Sequence, residues 1–398
     1  MALSWPPTMR STFQNRKNLD LVRPFAIRQN RMPKRPRKCE HGGGPERLYL
    51  VFDDWCHGYS IRMVNLLPGE NHQQTAFSDQ DDQDKVPHFP RPFFRMVAPR
   101  ESPKYFTSAF GTRILAMHPR DPEGDLLEGY FPMLDVRSRC VTTGPGQRNL
   151  FHPIYHLPVG NKLFTMSSYS FEMLCLEELS AKVSHRNSSK EWSWKELEQQ
   201  PFNVCDVTSY SLHPEERTFL ISTKKDTTEA TFSFDTERHS WKLLGNWVLP
   251  FDGQGHFDQH LKAFVGLSKE PDTLGQIYCC DVPIYGTPEG RCPVPSMNLC
   301  KENLFVSGDP MDKHVGATLV YMGGVSKFCL VQCVNKEVRD PGLSLPGSWM
   351  YRLTTFSLSL DDQRKELTTG GTCHSQYYKV PKATTKSLLV QDPVAFWM

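Results

Sequence analysis

The stretch Thr231-Phe232-Ser233-Phe234-Asp235-Thr236-Glu237 decides the fold class, because an apolar strand in it ends at an acidic turn. A similar phrase lies at 130–137, where Asp135 follows an apolar run. Asp135 and Asp235 are 100 positions apart, and Asp281 lies 46 positions beyond Asp235. These intervals fit two repeats and then one repeat of about 50 residues, the period that is typical of propeller blades.

A second recurring phrase ends in a His-Pro pair. The run 114–117 is followed by His118-Pro119, and the run 210–212 is followed by His213-Pro214, 95 positions later. This spacing predicts that the two phrases take equivalent places two repeats apart. Because proline fixes the backbone dihedral, we interpret both pairs as turn formers rather than catalytic residues.

Short apolar runs separated by Gly, Pro and Asn predict an all-β protein. The clearest unit has four strands within about 40 residues, the size of one propeller blade, at 205–212, 218–222, 231–234 and 241–244. Counting such clusters predicts a single β-propeller of about six four-stranded blades, with seven blades or two tandem β-sandwiches as alternatives. The last blade is expected to include 366–368, and the tail from Tyr377 to return a strand to the first blade.

The net charge of +2 is unevenly distributed, since residues 1–40 carry ten Lys or Arg against two acidic residues. Residues 1–45 also lack a sustained apolar period, so they are predicted to be a disordered basic arm. Residues 46–398 are predicted to form the propeller. No apolar stretch is long enough to span a bilayer, so no membrane association is expected.

The arm contains one short motif that could bind a polyanionic partner, the basic cluster Lys34, Arg35, Arg37 and Lys38. Such a cluster can dock an acidic groove of an import receptor or the phosphates of a nucleic acid. We therefore expect the protein in the nucleus or cytoplasm. An Arg-rich presequence for the mitochondrion or chloroplast is the alternative.

Residues that could carry chemistry are few and scattered. His256, Asp258 and His260 could share a metal on a helix, but Gly253 and Gly255 precede them and the segment leads into a strand, so no metal, cofactor or catalytic residue is assigned. Their clustering with another carboxylate would favour an enzyme, and their dispersal would oppose one. Asp135, Asp235, Asp281 and Asp361 each follow an apolar strand and are interpreted as turn residues that accept backbone N–H bonds. The cysteines in strand runs are expected to be buried thiols.

The function predicted from these features is a non-enzymatic protein-interaction module whose partner is unknown. Loops from every blade of a propeller meet on one face, where recognition takes place. Trp55, Trp192, Trp194 and Trp241 are candidate interface aromatics, with packing between blades as the alternative. The rival functions are a propeller hydrolase or lyase acting on carbohydrate, and nucleic-acid contact through the arm.

Four phrases resemble an expanded cereal-grass plant family that is known as a domain of unknown function, at 48–55, 232–237, 245–251 and 314–321. Members of that family resemble kelch-type and F-box-associated propellers. The resemblance implies the propeller fold and no activity. After residue 46, paired glycines of the common kelch kind occur only at Gly323-Gly324 and Gly370-Gly371, and the arm offers no helical F-box opening.

Nucleic-acid contact through the arm would depend strongly on salt, because it would rest on phosphate neutralisation. We expect any affinity of the full chain for DNA or RNA to fall steeply between low and physiological salt. The same affinity should disappear when residues 10–38 are deleted. Fluorescence anisotropy with a labelled oligonucleotide measures both effects, and unchanged binding after the deletion would contradict the hypothesis.

Overall fold

The computed structural model describes residues 46–66, 86–98, 103–117, 129–147, 153–176, 193–213, 217–283, 292–305, 312–336, 348–361, 366–384 and 392–398. These residues form an all-β structure in which the helical segments are three short 3₁₀ turns, Trp55–His57, Val204–Asp206 and Pro271–Thr273. Within these ranges no helix is long and apolar enough to cross a membrane. The basic arm and Trp192 lie outside the described residues.

The strands group into antiparallel units of four, which we call sheets 1 to 6 in chain order. The first strands of sheets 4 and 5 pair in parallel and join these two units into one eight-stranded sheet. Sheet 1 holds β1 (Leu48–Asp53), β2 (Tyr59–Val64) and β3 (Phe94–Met96), and it also takes the last strand of the chain. Sheet 2 holds β4 (Tyr105–Ala109), β5 (Arg113–Met117), β6 (Tyr130–Asp135) and β7 (Val141–Pro145). Sheet 3 holds β8 (Tyr155–Val159), β9 (Lys162–Met166), β10 (Phe171–Cys175) and β11 (Lys195–Glu196).

The second half of the chain repeats this arrangement. Sheet 4 holds β12 (Val207–Leu212), β13 (Thr218–Lys225), β14 (Thr228–Asp235) and β15 (Ser240–Gly245). Sheet 5 holds β16 (Gly253–Asp258), β17 (Ala263–Leu267), β18 (Ile277–Asp281) and β19 (Met297–Leu299). Sheet 6 holds β20 (Asp312–Gly323), β21 (Lys327–Lys336) and β22 (Ser348–Ser357), and its fourth strand follows the small hairpin of β23 (Ser359–Asp361) and β24 (Glu366–Thr368). That fourth strand is β25 (His374–Lys379), and the chain ends in β26 (Val394–Trp397).

The last strand completes the first sheet. β26 pairs antiparallel with β1, with Ala395 opposite Leu50, and Arg47 and Met398 exchange both backbone hydrogen bonds at 2.7 and 3.1 Å. The prediction that the tail returns a strand to the first sheet is therefore confirmed. Pairing the two ends of the chain covers an edge of β1 that would otherwise be open.

Every sheet is packed on both faces because successive side chains of a strand point to opposite sides. In β1, Leu48, Leu50 and Phe52 pack against sheet 6. Tyr49 and Val51, which alternate with them, pack against sheet 2. β1, which lies second in the sheet after β26, is thus apolar at consecutive positions from Leu48 to Phe52 rather than on alternate residues.

The same division holds for the other second strands. In β13, Phe219 and Ile221 face sheet 3, and Leu220 faces sheet 5. The buried residues of the described chain separate into six core clusters, and each cluster joins two sheets that are consecutive in number, with sheets 6 and 1 also joined. The apolar interior is therefore a series of interfaces between sheets.

The acidic repeat marks equivalent positions. Asp135, Asp235 and Asp281 are the last residues of the third strands of sheets 2, 4 and 5. The Asp135 Oδ1 accepts from the Arg137 and Ser138 amides at 2.9 and 3.2 Å, and the Asp235 Oδ1 accepts from the two corresponding amides at 2.9 and 2.8 Å. These bonds hold the pKa of Asp235 below its usual value. The prediction of turn carboxylates is confirmed at both positions.

The prediction that the two His-Pro phrases take equivalent places in their sheets is wrong. His118 lies outside the described residues, but it follows β5, the second strand of its sheet. His213 follows β12, which is a first strand. A His-Pro pair ends a strand of any rank, so its recurrence does not fix the position within a sheet.

The fourth strand of sheet 6 was also assigned wrongly. Residues 366–368 pair with β23 in the separate hairpin, and His374–Lys379 supplies the fourth strand by pairing with β22.

The prediction of buried cysteine thiols is confirmed at Cys279 and Cys329: both are buried, and burial raises the pKa of each to about 12. Both therefore remain neutral thiols that pack as small apolar groups.

Removing residues 392–398 should destabilise the fold severely, because β26 contributes side chains to the interfaces of sheet 1 with both sheet 2 and sheet 6. We expect a loss of more than about 4 kcal/mol in the free energy of unfolding, which single substitutions reach only exceptionally. Urea denaturation followed by tryptophan fluorescence measures it. Trp397→Ala, which keeps the strand, is the control and should cost less. A truncated chain as stable as the full one would contradict the role of β26.

Candidate functional site: a groove between sheets 1 and 2

A groove of about 300 Å³ opens between sheets 1 and 2. Counted across each sheet, β1 and β2 are the second and third strands of sheet 1, because β26 is the first. The groove lies at the end of the sheets where the second strand leads into the third: Trp55–His57 connects β1 to β2 there, and Tyr130 begins β6. Apolar side chains and backbone form most of its surface, including Met96, Pro103 and Met117.

The sheet 1 wall is the segment 96–98 just after β3. Gly58 fixes its position: this residue has a φ of +74°, and a Cβ placed on it would lie 2.1 Å from the Met96 carbonyl oxygen. Only glycine combines this dihedral with so close a backbone approach. The turn that follows Trp55 and the segment that carries Val97 are therefore held side by side.

The sheet 2 wall consists of the start of β6 and the residues that follow β7. A Cβ on Gly146 would lie 1.7 Å from the Gly129 carbonyl oxygen, so the two glycines let the backbones cross at the groove. From sheet 3, the Trp194 Nε1 donates to the Pro145 carbonyl at 2.8 Å, and its ring packs 6.3 Å from that of Phe131. Trp194 thus supports this wall from behind.

Gln147 is the polar side chain of the groove. Its side chain is only 3% exposed, and within the described structure neither its amide oxygen nor its amide nitrogen has a hydrogen-bond partner. A buried primary amide without partners loses its hydration without compensation, at a cost of about 1–3 kcal/mol. Folding therefore leaves a donor and an acceptor unused beside an apolar groove.

Exposed apolar side chains border the same groove. Val97 is 88% exposed and Tyr130 is 68% exposed, and both belong to its lining. Trp55, 48% exposed, lies in the turn whose Gly58 contacts the Val97 backbone. Large apolar side chains gathered at one place on a surface mark interaction sites more often than the same residues scattered singly.

The sequence pattern singled out only part of this surface. Trp55 was a candidate interface aromatic and lies next to the groove. Trp241 lies in the interface of sheets 3 and 4, with its ring 4.8 Å from that of Phe234. Trp192 and the cluster Lys34, Arg35, Arg37 and Lys38 lie outside the described residues. Val97 and Gln147 were missed, because neither residue type carries a motif and the groove joins segments about 50 residues apart.

The candidate metal residues are dispersed along and beyond one strand. The His256 ring nitrogen Nε2 lies 3.0 Å from the Leu319 carbonyl oxygen, and desolvation lowers the pKa of His256. The Asp258 Oδ1 accepts from the amides of His260 and Leu261 and from the Ser326 hydroxyl. In the described part of the chain, no group of three His, Cys, Asp or Glu side chains is arranged to hold a metal.

The first strands of the sheets contact one another through aromatic and polar side chains. His156 on β8 packs 5.7 Å from the Tyr105 ring of β4, and the ring of Tyr155 lies 5.8 Å from that of Tyr210 on β12. Desolvation lowers the pKa of His156 to about 4 and raises the pKa of Tyr210 to about 12. Both side chains are therefore neutral at physiological pH, and they serve contacts between sheets.

The chain belongs to a family described as a protein of unknown function (DUF1668), whose model matches residues 46–377. The match begins where the described residues begin and ends within β25. Comparison with curated proteins finds no match.

Several solved structures are similar to the chain over most of its length, at low identity. A periplasmic gluconolactonase from Pseudomonas aeruginosa is 11% identical with a TM-score of 0.42, covering 84% of this chain and 99% of that one. A protein from Lactobacillus plantarum is 9% identical with a TM-score of 0.40, covering 89% and 99%. TolB from Acinetobacter baumannii is 14% identical with a TM-score of 0.32, covering 73% and 68%.

Replacing the unused amide tests whether Gln147 is a cost to the fold. Gln147→Met keeps the shape of the side chain and removes both polar groups, so we expect the free energy of unfolding to rise by about 1–3 kcal/mol. Gln276→Met is the matched control, because the Gln276 Nε2 donates to the Cys300 carbonyl at 3.1 Å. The control should be destabilised. Urea denaturation compares the two, and a loss of stability in Gln147→Met would show that this amide is satisfied in solution.

Proposed function

We propose that residues 46–398 form a single six-bladed β-propeller that acts as a protein-interaction module. The six interfaces support the ring, because each sheet packs against the sheets before and after it and sheet 6 packs against sheet 1. Contacts between first strands support it as well. Examples are the parallel pairing of β12 with β16 and the bond from the Thr318 hydroxyl to the Pro393 carbonyl at 2.6 Å.

The groove between sheets 1 and 2 carries the functional part of the proposal. Its lining is mostly apolar, its rim exposes Val97 and Tyr130, and its one buried polar side chain has no hydrogen-bond partner among the described residues. Tyrosine and tryptophan supply large contact areas at low entropic cost and are enriched where partners bind. A partner that covers this rim would remove Val97, Tyr130 and Trp55 from water together.

The size and shape of this surface favour a macromolecule as the partner. A volume of about 300 Å³ lies at the lower end of the range for small-molecule sites. Val97 and Tyr130 line the groove and are 88% and 68% exposed, so apolar surface also lies outside the cavity. Protein interfaces combine such a rim with a small pocket that receives one anchoring side chain.

The basic arm has a separate role in this proposal. Lys34, Arg35, Arg37 and Lys38 are proposed to direct the chain to the nucleus through an acidic receptor groove. The apolar groove and the basic cluster would then recognise different partners, because their chemistry has nothing in common.

Disrupting the rim should release the partner without unfolding the protein. We expect the full chain carrying Val97→Asp and Tyr130→Ala to lose its stoichiometric protein partner in affinity purification with quantitative mass spectrometry. A charge at the centre of an apolar contact must be desolvated without compensation, so a loss of at least about tenfold in partner recovery is expected.

Val325→Asp is the matched control. Val325 is 61% exposed and lies in the turn between β20 and β21, at the opposite end of the sheets. The control should retain the partner at the wild-type level. Equal recovery from the groove variant and from the wild-type chain would contradict the proposed docking surface.

A further inference from the structure

The fourth strand of each sheet has an outer edge, and proteins usually protect such an edge with charged side chains or with another segment of the chain. Four of the six fourth strands carry charged residues: Arg95 in β3, Lys195 and Glu196 in β11, Lys242 in β15 and Lys379 in β25. The edge of β19 lies against β24, where the Lys301 amide donates to the Leu367 carbonyl at 3.0 Å. In the part of the chain that the structure describes, β7 has neither protection, because its residues are uncharged and no strand pairs with its outer edge.

The backbone of β7 offers open hydrogen-bonding groups at this edge. The Cys140 carbonyl accepts from the Asp135 amide at 2.9 Å and therefore points at β6. Because the bonding direction alternates along an antiparallel strand, the N–H and C=O groups of Val141 and Thr143 point away from β6. Within the described structure these four groups have no hydrogen-bond partner. Both residues are exposed, so another chain can reach them.

Apolar side chains of sheet 1 lie on one side of this edge. Val141 is opposite Leu134, which belongs to the core between sheets 1 and 2. On the other side of that core, Phe94 and Met96 of β3, the outer strand of sheet 1, are only half-buried. A strand added beside β7 would point alternate side chains toward these two residues. The edge therefore favours a segment with apolar residues at alternate positions.

The turn before β7 adds positive charge. Arg137 and Arg139 are both exposed, and neither forms an ion pair in the described structure. The Arg139 guanidinium lies 5.0 Å from the centre of the Phe93 ring, so it sits between sheets 1 and 2. The Oδ1 of Asp135, the carboxylate of the same turn, accepts from the backbone amides of the turn. Charge complementarity at this end of the edge therefore favours acidic residues.

We propose that β7 accepts an extended segment of a partner protein as a fifth strand of sheet 2. The segment runs antiparallel to β7, the orientation that is slightly more stable per residue, and it bonds to the backbone of Val141 and Thr143. Acidic residues at its C-terminal end face Arg137 and Arg139. Its apolar side chains cover the half-buried residues of β3.

The open edge leads to the groove between sheets 1 and 2. Pro145 ends the edge, because its ring has no N–H and its carbonyl accepts from the Trp194 indole. Pro145 also pairs with Tyr130 on the rim of the groove. The N-terminal end of the added strand would thus leave β7 at the proposed docking surface. This inference rests on the proposed function and names the segment that the partner contributes.

A second copy of this chain fits the edge less well. If two β7 strands paired antiparallel, Arg137 and Arg139 of one copy would lie beside Gly146 and Gln147 of the other. Neither of these residues carries a negative charge, so four arginines would come to the interface without a carboxylate. A partner with acidic residues avoids this repulsion.

The test measures amide exchange of the ¹⁵N-labelled full chain by NMR, with the capped peptide acetyl-Thr-Val-Thr-Val-Asp-Glu-amide as the probe. In the chain alone, the amides of Val141 and Thr143 should exchange fast, whereas those of Thr142 and Gly144, which point at β6, should be protected. A saturating amount of the probe should slow exchange at Val141 and Thr143 at least about tenfold. Fast exchange of both amides at saturating probe would overturn the inference.

Two N-methylated probes distinguish strand pairing from other contacts. One carries N-methyl at the third residue and the other at the fourth, so both lose one N–H and both gain the same methyl group. Because alternate N–H groups of an added strand face β7, one probe should bind at least about tenfold more weakly than the other. Equal affinities of the two probes would contradict pairing with the edge.

Variants of the chain test the edge and the charge separately. Thr143→Pro removes an outward N–H that β6 does not use, so we expect the fold to tolerate it and the probe to bind at least about tenfold more weakly. Arg137→Gln combined with Arg139→Gln should weaken binding at low salt. Arg238→Gln is the matched control, because Arg238 lies in the turn after Asp235, and it should bind the probe like the wild-type chain. Unchanged affinity in both the proline variant and the double arginine variant would overturn the inference.

Two further results separate this inference from the docking proposal. If the probe pairs with β7 but the partner survives Val97→Asp and Tyr130→Ala, the groove rim is refuted alone. If those rim substitutions release the partner but Thr143→Pro retains it at the wild-type level, the strand inference is refuted alone. Sedimentation of the chain by itself adds a check, because a dimer that Thr143→Pro dissociates would assign the edge to a second copy and overturn the inference.

Discussion

The structure depends on the two-sided packing of its sheets. Each second strand sends alternate side chains to two different neighbours, as Leu220 and Ile221 do in β13. A sheet with only one neighbour would leave one apolar face in water, so no sheet is stable by itself. The first sheet meets the same requirement only because β26 returns and sheet 6 covers its outer face.

The groove follows from this packing. It lies at one end of the interface between sheets 1 and 2, where the apolar cluster continues into half-buried side chains such as Met96 and Ala98. Glycines let the two walls approach closely, and Trp194 holds one wall from sheet 3. The interface that stabilises the fold thus also buries the Gln147 amide beside exposed apolar residues.

Local patterns in the sequence predicted much of the fold. The hairpin of β1 and β2, the turn at Gly160 with its φ of +56° and the acidic turns after β6 and β14 follow from the residues that form them. β16 was missed because Gly253 and Gly255 hide its strand pattern. A Cβ on Gly255 would lie 2.3 Å from the Phe251 ring, so tertiary packing rather than strand propensity selects this glycine.

The candidate site was harder to predict than the fold. Trp55 was singled out as an aromatic, whereas Val97, Tyr130 and Gln147 have meaning only once sheets 1 and 2 are brought together. An unpaired buried amide leaves no signal in a single sequence, because its importance depends on the partners that it lacks in three dimensions.

Native-state hydrogen exchange of the amides in β26 tests the closure most directly. If β26 closes the ring onto β1, the amides of Val394 and Phe396 should exchange only through global unfolding, with the same free energy as those of β13, because they alternate with the bonded pair Arg47–Met398 and point at β1. Exchange of these two amides at the rate of an exposed peptide, while β13 stays protected, would contradict the closure. The sheets would then form an open row with a free end.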